Sequence, residues 1–457
     1  MRAPAPLEPP ALARTAPARR ELTTIAALVV VGAIAACFAH GFVLAGEYVL
    51  GALFGAGKPA EAALATSPLV VIAVVCAAVF VGAGVARLSS RAGSGRTGLK
   101  HVKLALDGDP ADAGSVRPSM RATLVRAVGT FASSVGFVSI GRETAMIESG
   151  GALGATVGQR LRLGPTLAVA GVAAAFTAAY TAPLGALAYT DDHIGIRRNR
   201  RAALHGLLGA AVGYGTGGLL WERHSVLPHP DEVRIELLLT AAVVVVPAAL
   251  AARALFTLRR RAERAMPRFG GPAWLGCMAV AALSVGLARG AAGNGMNSLA
   301  LAAAEPVLWA AVGLAVFRVA GMLAALAAGV PGGVILPTMA IAGGWGLLTV
   351  LAVERFGVDL PGSRWDAMIL AAAAGVAVGL RSPVMAVVMV PEMVGDYRMV
   401  PFTAAIVVTA LVIDRLLPCT ARALTRPSRQ IPRRGSRPIV RPGTSATRRQ
   451  ASNTPGM

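Results

Sequence analysis

The chain has 457 residues, 55% of them hydrophobic and only 15% charged, with a mean hydropathy of +0.62. Soluble proteins carry about 25% charged residues, so the composition excludes an ordinary soluble domain. The formal charge of +21 comes from 44 basic against 23 acidic side chains and is gathered into a few clusters.

Residues 1–22 form a basic arm containing Arg2, Arg14, Arg19 and Arg20. The apolar stretch after it is too long for the core of a signal peptide, so it reads as a retained first helix. About 20 apolar residues can cross a bilayer as a helix. Such runs recur at 24–57, 65–88, 166–190, 203–221, 236–257, 272–290, 307–329, 333–353, 366–394 and 400–418. Between them lie basic clusters at Arg87 to Lys103, at "RRNRR" (197–201) and at "LRRRAERAMPR" (258–268). The tail after Leu417 has nine arginines and no acid between Cys419 and Met457. Positive segments stay in the cytoplasm, which puts both termini and these loops inside. The tail is expected to be disordered and to lie near anionic lipid rather than nucleic acid. Cys37, Cys76, Cys277 and Cys419 are scattered and read as small apolar fillers.

Two segments resemble each other: "AGVAAAFTAAYTAPLGALAYTDDH" (170–193) and "AAAGVAVGLRSPVMAVVMVPEMVGDY" (372–397). Each is an Ala/Gly-rich helix, a proline after a small residue, and an apolar run ending in a carboxylate. Nine residues separate Pro183 from Asp192, and nine separate Pro383 from Glu392. Each segment follows a Gly-rich break, "SIGRETA" in one and "GVPGGVILP" in the other. This is the plan of an all-α polytopic membrane protein built as an inverted repeat, with broken helices meeting at the midplane. The expected divisions are 1–22 (arm), 23–228 and 229–418 (membrane halves), and 419–457 (tail).

The breaks hold unusual residues for a membrane. "GRETAMIESGG" (141–151) places Arg142, Glu143 and Glu148 in apolar surroundings. A charge at bilayer depth costs at least ~2.5–3.5 kcal/mol and marks a functional position by default. Helix N-termini expose unpaired N–H groups and the positive end of the dipole, so they bind anions without a formal cation. Ser94 and Tyr397 offer hydroxyl donors. Gly93, Gly95, Gly141, Gly332 and Gly333 let the backbone approach an ion. Glu143 carries its own anion to such a helix end, and can occupy a place an ion would otherwise fill.

Five pieces, in order, resemble motifs of the CLC family of chloride channels and chloride/proton exchangers. They are "GSG" (93–95), "GRE" (141–143) with the helix after it, "FTAAYTAPLGALAYTDD" (176–192), "PGGVILP" (331–337) and "PEMVGDYRMVP" (391–401). The likeness runs from about residue 25 to 418. It departs at Arg96–Thr97 and at Thr144–Ala145, and at Glu148, where the family commonly has Gln.

The resemblance implies that Glu143 is the external gate and proton acceptor, with Arg142 beside it. It makes Ser94, Gly95, Tyr397 and the amides of Val334 and Ile335 the anion site. An inner proton carrier falls within "TDDH", where the repeat spacing picks Asp192 and leaves Asp191 and His193 open. The expected activity is chloride/proton antiport. A passive chloride channel of the same fold and a fluoride exporter are the alternatives. Chloride, protons and the bilayer are the expected partners, in a homodimer in the plasma (inner) membrane, with no cofactor other than bound chloride. "GSGRTGLK" (93–100) fails as a P-loop, because Leu99 separates Gly98 from Lys100 and His101 follows. No HExxH or nucleophile–base pattern suggests an enzyme.

Overall fold

The computed structural model describes residues 12–91, 119–221, 226–229, 233–265 and 267–417, together with 99, 102, 103 and 106. Ser94, Gly95 and the basic tail lie outside the described residues. The first half contains α1 (Leu12–Phe54), α2 (Pro59–Ala65), α3 (Pro68–Arg91), α4 (Met120–Val135), α5 (Glu143–Arg160), α6 (Thr166–Tyr180), α7 (Pro183–Ile194) and α8 (Arg200–Leu220). The second contains α9 (Leu237–Arg264), α10 (Pro272–Leu287), α11 (Met296–Ala304), α12 (Leu308–Ala328), α13 (Ile335–Arg355), α14 (Arg364–Gly379), α15 (Pro383–Val394) and α16 (Val400–Leu416). Among the described residues, six helices are long and apolar enough to cross a membrane.

Each half has a helix at its centre made of small residues. In α6 every residue except Ala178 and Ala179 is buried, against α1, α5 and α8. In α14 every residue after Arg364 is buried, against α9, α13 and α16. The backbones of α5 and α6 touch. A Cβ on Gly150 would stand 2.3 Å from the Gly171 carbonyl oxygen, and one on Gly154 would stand 2.2 Å from that of Leu167. Apolar side chains gain little by leaving lipid for protein, so such close approach, and the dispersion it brings, holds membrane helices together.

The structure divides two of the expected runs. The run 166–190 breaks between α6 and α7, and 366–394 breaks between α14 and α15. The breaks correspond residue for residue. Thr181 (φ 53°) and Arg381 (φ 61°) take the left-handed conformation two residues before Pro183 and Pro383. Gly195 and Gly395 then close the short helices at φ 84° and 77°. Non-glycine residues rarely sit there, so each bend is held by its surroundings. Asp414 on α16, buried, accepts from Nη1 of Arg381 at 2.8 Å and Nη1 of Arg253 at 3.2 Å.

α7 and α15 run antiparallel and tie the halves together. The Glu392 carboxylate, at the end of α15, accepts from the backbone N–H of Leu184 at 2.9 Å and of Gly185 at 2.7 Å. It thus caps the start of α7. At the other end, Asp192 lies within electrostatic reach of Ser382, the residue before α15. The equal nine-residue spacings therefore carry each acid to the start of the opposite short helix.

Candidate anion site and gate

The N-termini of α5 and α13 meet. Gly141 N–H donates to Gly333 O at 2.8 Å, and Gly333 N–H donates back to Gly141 O at 2.6 Å. Two broken helices, one from each half, are joined by this single antiparallel bridge. A Cβ on Gly141 would lie 2.9 Å from the Gly333 carbonyl oxygen and 2.0 Å from Glu143 Oε2, and one on Gly333 would lie 2.7 Å from the same Oε2. The Glu143 carboxylate is therefore folded over the bridge. It is 2% exposed. Oε1 accepts from Asn294 Nδ2 at 3.1 Å. Oε2 is buried without a hydrogen-bond partner. Val334 and Ile335 occupy the N-cap and first position of α13 beside it.

Asn294 is placed by a loop with its own anchor. Arg318 of α12 is wholly buried. Its guanidinium donates to Gly293 O at 2.9 Å, Ala291 O at 2.6 Å, Ala292 O at 3.2 Å and Ser298 Oγ at 2.7 Å. The same loop is stitched to the segment before α5 by Ser139 Oγ to Ala291 O (3.0 Å) and Gly293 N–H to Phe137 O (3.2 Å). These four bonds from one buried guanidinium fix the loop that carries Asn294.

Arg142 is the N-cap of α5. Its Nη2 lies 3.9 Å from Glu47 Oε1 of α1. Arg142 lines a cavity of about 500 Å³ with Glu47, Thr177, Tyr214, Asn294 and Asn297. Glu148, five residues after Glu143 on α5, pairs with Arg126 Nη2 at 3.1 Å.

The expected inner acids lie at the far end of α7. Asp191 is engaged by Arg197, with Nε at 2.8 Å from Oδ2 and the backbone N–H at 3.0 Å from Oδ1. Asp192 is half-buried, and its Oδ2 has no hydrogen-bond partner. Both acids line a second cavity, of about 620 Å³, with Lys103, Arg197 and Arg198.

Tyr397 does not join this site. It is 57% exposed, and its hydroxyl donates to Glu392 Oε1 at 3.1 Å, at the start of α7. It follows α15 directly and is held by that helix's terminal acid, so it completes the cap instead of reaching the bridge. The buried tyrosine within electrostatic reach of Glu143 is Tyr180, at the end of α6. Sequence reasoning missed Tyr180, Asn294 and Arg318. The legible signal was strongest for Arg318, an arginine inside the apolar run "LAVFRVAGML" (314–323).

The profile of the voltage gated chloride channel family matches residues 77–415. The chain is 29% identical over 316 residues to the voltage-gated ClC-type chloride channel ClcB of Salmonella typhimurium, covering 65% of this chain and 73% of that one. It is 28% identical over 306 residues to the putative chloride channel protein ClcB-like of Ralstonia nicotianae, covering 62% and 69%. The fold is similar to that of a slow cyanobacterial Cl⁻/H⁺ antiporter, with a TM-score of 0.68 and 19% identity over 88% of this chain and 95% of that one. It is also similar to that of a CLC-type fluoride/proton antiporter, with a TM-score of 0.66 and 19% identity over 86% and 95%. The protein is therefore a multi-pass membrane transporter, not an enzyme, and it belongs to the voltage-gated chloride channel (CLC) family.

Proposed function

We propose that this chloride transporter is a chloride/proton antiporter gated by Glu143. The observation that carries the reading is the buried Glu143 carboxylate, lying over the meeting point of two helix N-termini with one oxygen unpartnered. The first amides of a helix lack intrahelical acceptors, so an anion is favoured there, and the carboxylate takes that place. A proton arriving on Oε2 cancels its charge and weakens its hold. Chloride then occupies the vacated position, bound by the amides of Val334 and Ile335 and by donors of the Ser94–Gly95 segment. Binding by dipoles rather than by a lysine cluster keeps the ion releasable.

The first cavity, which Arg142 and Asn294 line, is the external approach. The second, at the basic "RRNRR" segment, is the cytoplasmic one, in keeping with cytoplasmic positive charge. A proton carrier is drawn from Asp191, Asp192 and His193 there. Both termini are cytoplasmic, the membrane is the plasma membrane, and two copies pair as a homodimer.

The test uses the full chain in liposomes with an outward chloride gradient and no preset pH difference. Proton uptake should accompany chloride efflux. In Glu143→Gln proton uptake should stop while chloride still crosses. Chloride efflux from wild type with no proton movement would replace antiport with passive channel behaviour. The antiporter of similar fold that carries fluoride makes parallel chloride and fluoride electrode traces part of the same experiment.

A further inference from the structure

α9 ends in a run of arginines: Arg259, Arg260, Arg261 and Arg264 fill four of its last six positions. Three guanidinium groups surround one ring there. The Cζ atoms of Arg381, Arg260 and Arg259 stand 4.9, 5.2 and 5.7 Å from the centroid of Phe256. The ring attracts each cation. Yet any two of them lie within about 11 Å of each other, close to one Debye length at physiological salt, so they also repel. Arg381 comes from the α14–α15 bend, so the cluster joins two elements. The end of α16 adds the exposed Arg415.

The nearby carboxylates do not balance this charge. Asp414 is shared by Arg253 and Arg381. Glu263 stands 3.5 Å from Nε of Arg259, a nitrogen that is buried and makes no hydrogen bond. Arg260, Arg261, Arg264 and Arg415 have no ion-pair or hydrogen-bond partner among the described residues.

On a soluble surface water would solvate such arginines and nothing would follow. Here they close a helix long and apolar enough to cross a membrane. Leu250, Ala254 and Leu258 form an exposed apolar strip in steps of four residues, and Arg261 continues it three residues on. At 1.5 Å per residue the strip from Leu250 to Arg261 is about 16 Å long, one leaflet of a ~30 Å hydrocarbon core. An acyl chain lying on it brings its phosphate to the arginines. Leu416, beside Arg415, is 76% exposed and sets a second apolar group against a cation. Guanidinium is weakly hydrated and pairs two N–H groups with two phosphate oxygens. A zwitterionic headgroup would bring its own ammonium into the cluster, whereas an anionic one supplies only the missing charge.

We propose that the end of α9, with Arg381 and the end of α16, is a binding site for the headgroup of an anionic phospholipid. Its phosphate is held by Arg260 and Arg261, close to Arg381 at the Phe256 ring, and an acyl chain lies along Leu250, Ala254 and Leu258. Basic pockets between membrane helices recognise anionic headgroups in this way. The bound phosphate relieves the repulsion within the cluster and ties α9 to the α14–α15 bend. The site stands whether chloride moves with protons or alone.

The test uses the full chain in a neutral detergent, offered phosphatidylglycerol, cardiolipin, phosphatidylcholine or inorganic phosphate at equal phosphate concentration. Retained lipid is counted by native mass spectrometry, and the unfolding temperature is followed in parallel. Wild type should retain both anionic lipids and unfold at a higher temperature with them. Phosphatidylcholine and inorganic phosphate should do neither. The double variant Arg260→Gln with Arg261→Gln should retain roughly tenfold less anionic lipid. Both side chains are exposed, so the fold should persist. Arg200→Gln with Arg201→Gln, at the start of α8, removes the same charge elsewhere and should retain as much as wild type. Equal retention by wild type and the α9 variant would overturn the site, since the lipid would then sit elsewhere. Equal losses in the two double variants would overturn it too, by reducing the effect to net charge. Phosphatidylcholine held as well as the anionic lipids would mean ordinary solvation by lipid. Stabilisation by inorganic phosphate as strong as by lipid would replace the lipid with a soluble anion.

Discussion

Asn294→Leu is the most informative single change. The amide lost is a donor to a carboxylate, 3.1 Å from Oε1, and both residues are buried, at 6% and 2% exposure. A hydrogen bond to a charged group is worth about 1.5–3 kcal/mol. The bond favours the ionised carboxylate over the protonated one. Removing it therefore makes proton uptake by the gate easier, and the pH of half-maximal chloride flux should rise. The protonated acid can still accept from the amide through its carbonyl oxygen at about 0.5–1.5 kcal/mol, so at about 1.36 kcal/mol per pH unit the rise should be roughly 1 unit. Leucine has a similar volume, and Arg318 and Ser139 still hold the loop, so the fold should persist. The assay is chloride efflux from liposomes at stepped pH, with the midpoint fitted for each protein. Asn294→Asp sets a second carboxylate against the first and should move the midpoint the same way. A midpoint that stays put, or moves down, would refute the claim that this amide holds the closed gate.

Arg318→Met leaves the carbonyls of residues 291, 292 and 293 without their shared donor, and should reproduce the direction of the Asn294→Leu shift by freeing the loop; a midpoint equal to wild type in folded protein would count against this. Asp414→Ala removes a buried carboxylate that pairs with Arg253 and with the half-exposed Arg381 at the α14–α15 bend. Arg253 keeps its bond to the residue 414 carbonyl, so the cost is about 1–3 kcal/mol and unfolding of the solubilised protein should occur at a lower temperature. Asp396 lies in the loop before α16, held by the Arg398 guanidinium with Nη2 2.7 Å from Oδ2. That hydrogen bond depresses its proton affinity below the ordinary carboxylate range. The resulting stability is present above the unfolded-chain value of about 3.9 and is lost as pH falls through the lower folded value. Melting curves of Asp396→Asn should accordingly show a shallower loss of stability below about pH 4 than wild type.

The inverted repeat was legible because spacing survives when sequence identity does not: Pro183 and Pro383 open α7 and α15, and Asp192 and Glu392 sit near their ends. The position of Glu143 at a helix start was legible from its Gly-flanked break. The interruptions inside 166–190 and 366–394 were not, because Thr181 and Arg381 bear no mark of a left-handed backbone; tertiary contacts impose it. Tyr397 misled because a polar ring near a helix end suits an ion site and a cap equally well. Asn294 was hidden because it reaches Glu143 from 151 residues away in the chain, a pairing that local pattern cannot predict. For Ser94 and Gly95 the expectation stands as a proposal.

The reciprocal pair of amide bonds between Gly141 and Gly333 has a mechanical consequence. Parting the two halves there would strand two donors and two acceptors where no water can satisfy them, at several kcal/mol each. The main chain is thus the stiff part of the door frame, and the swinging part is small: a single acid with a few rotatable bonds. Opening should then cost little reorganisation and leave the relative placement of the helices almost untouched.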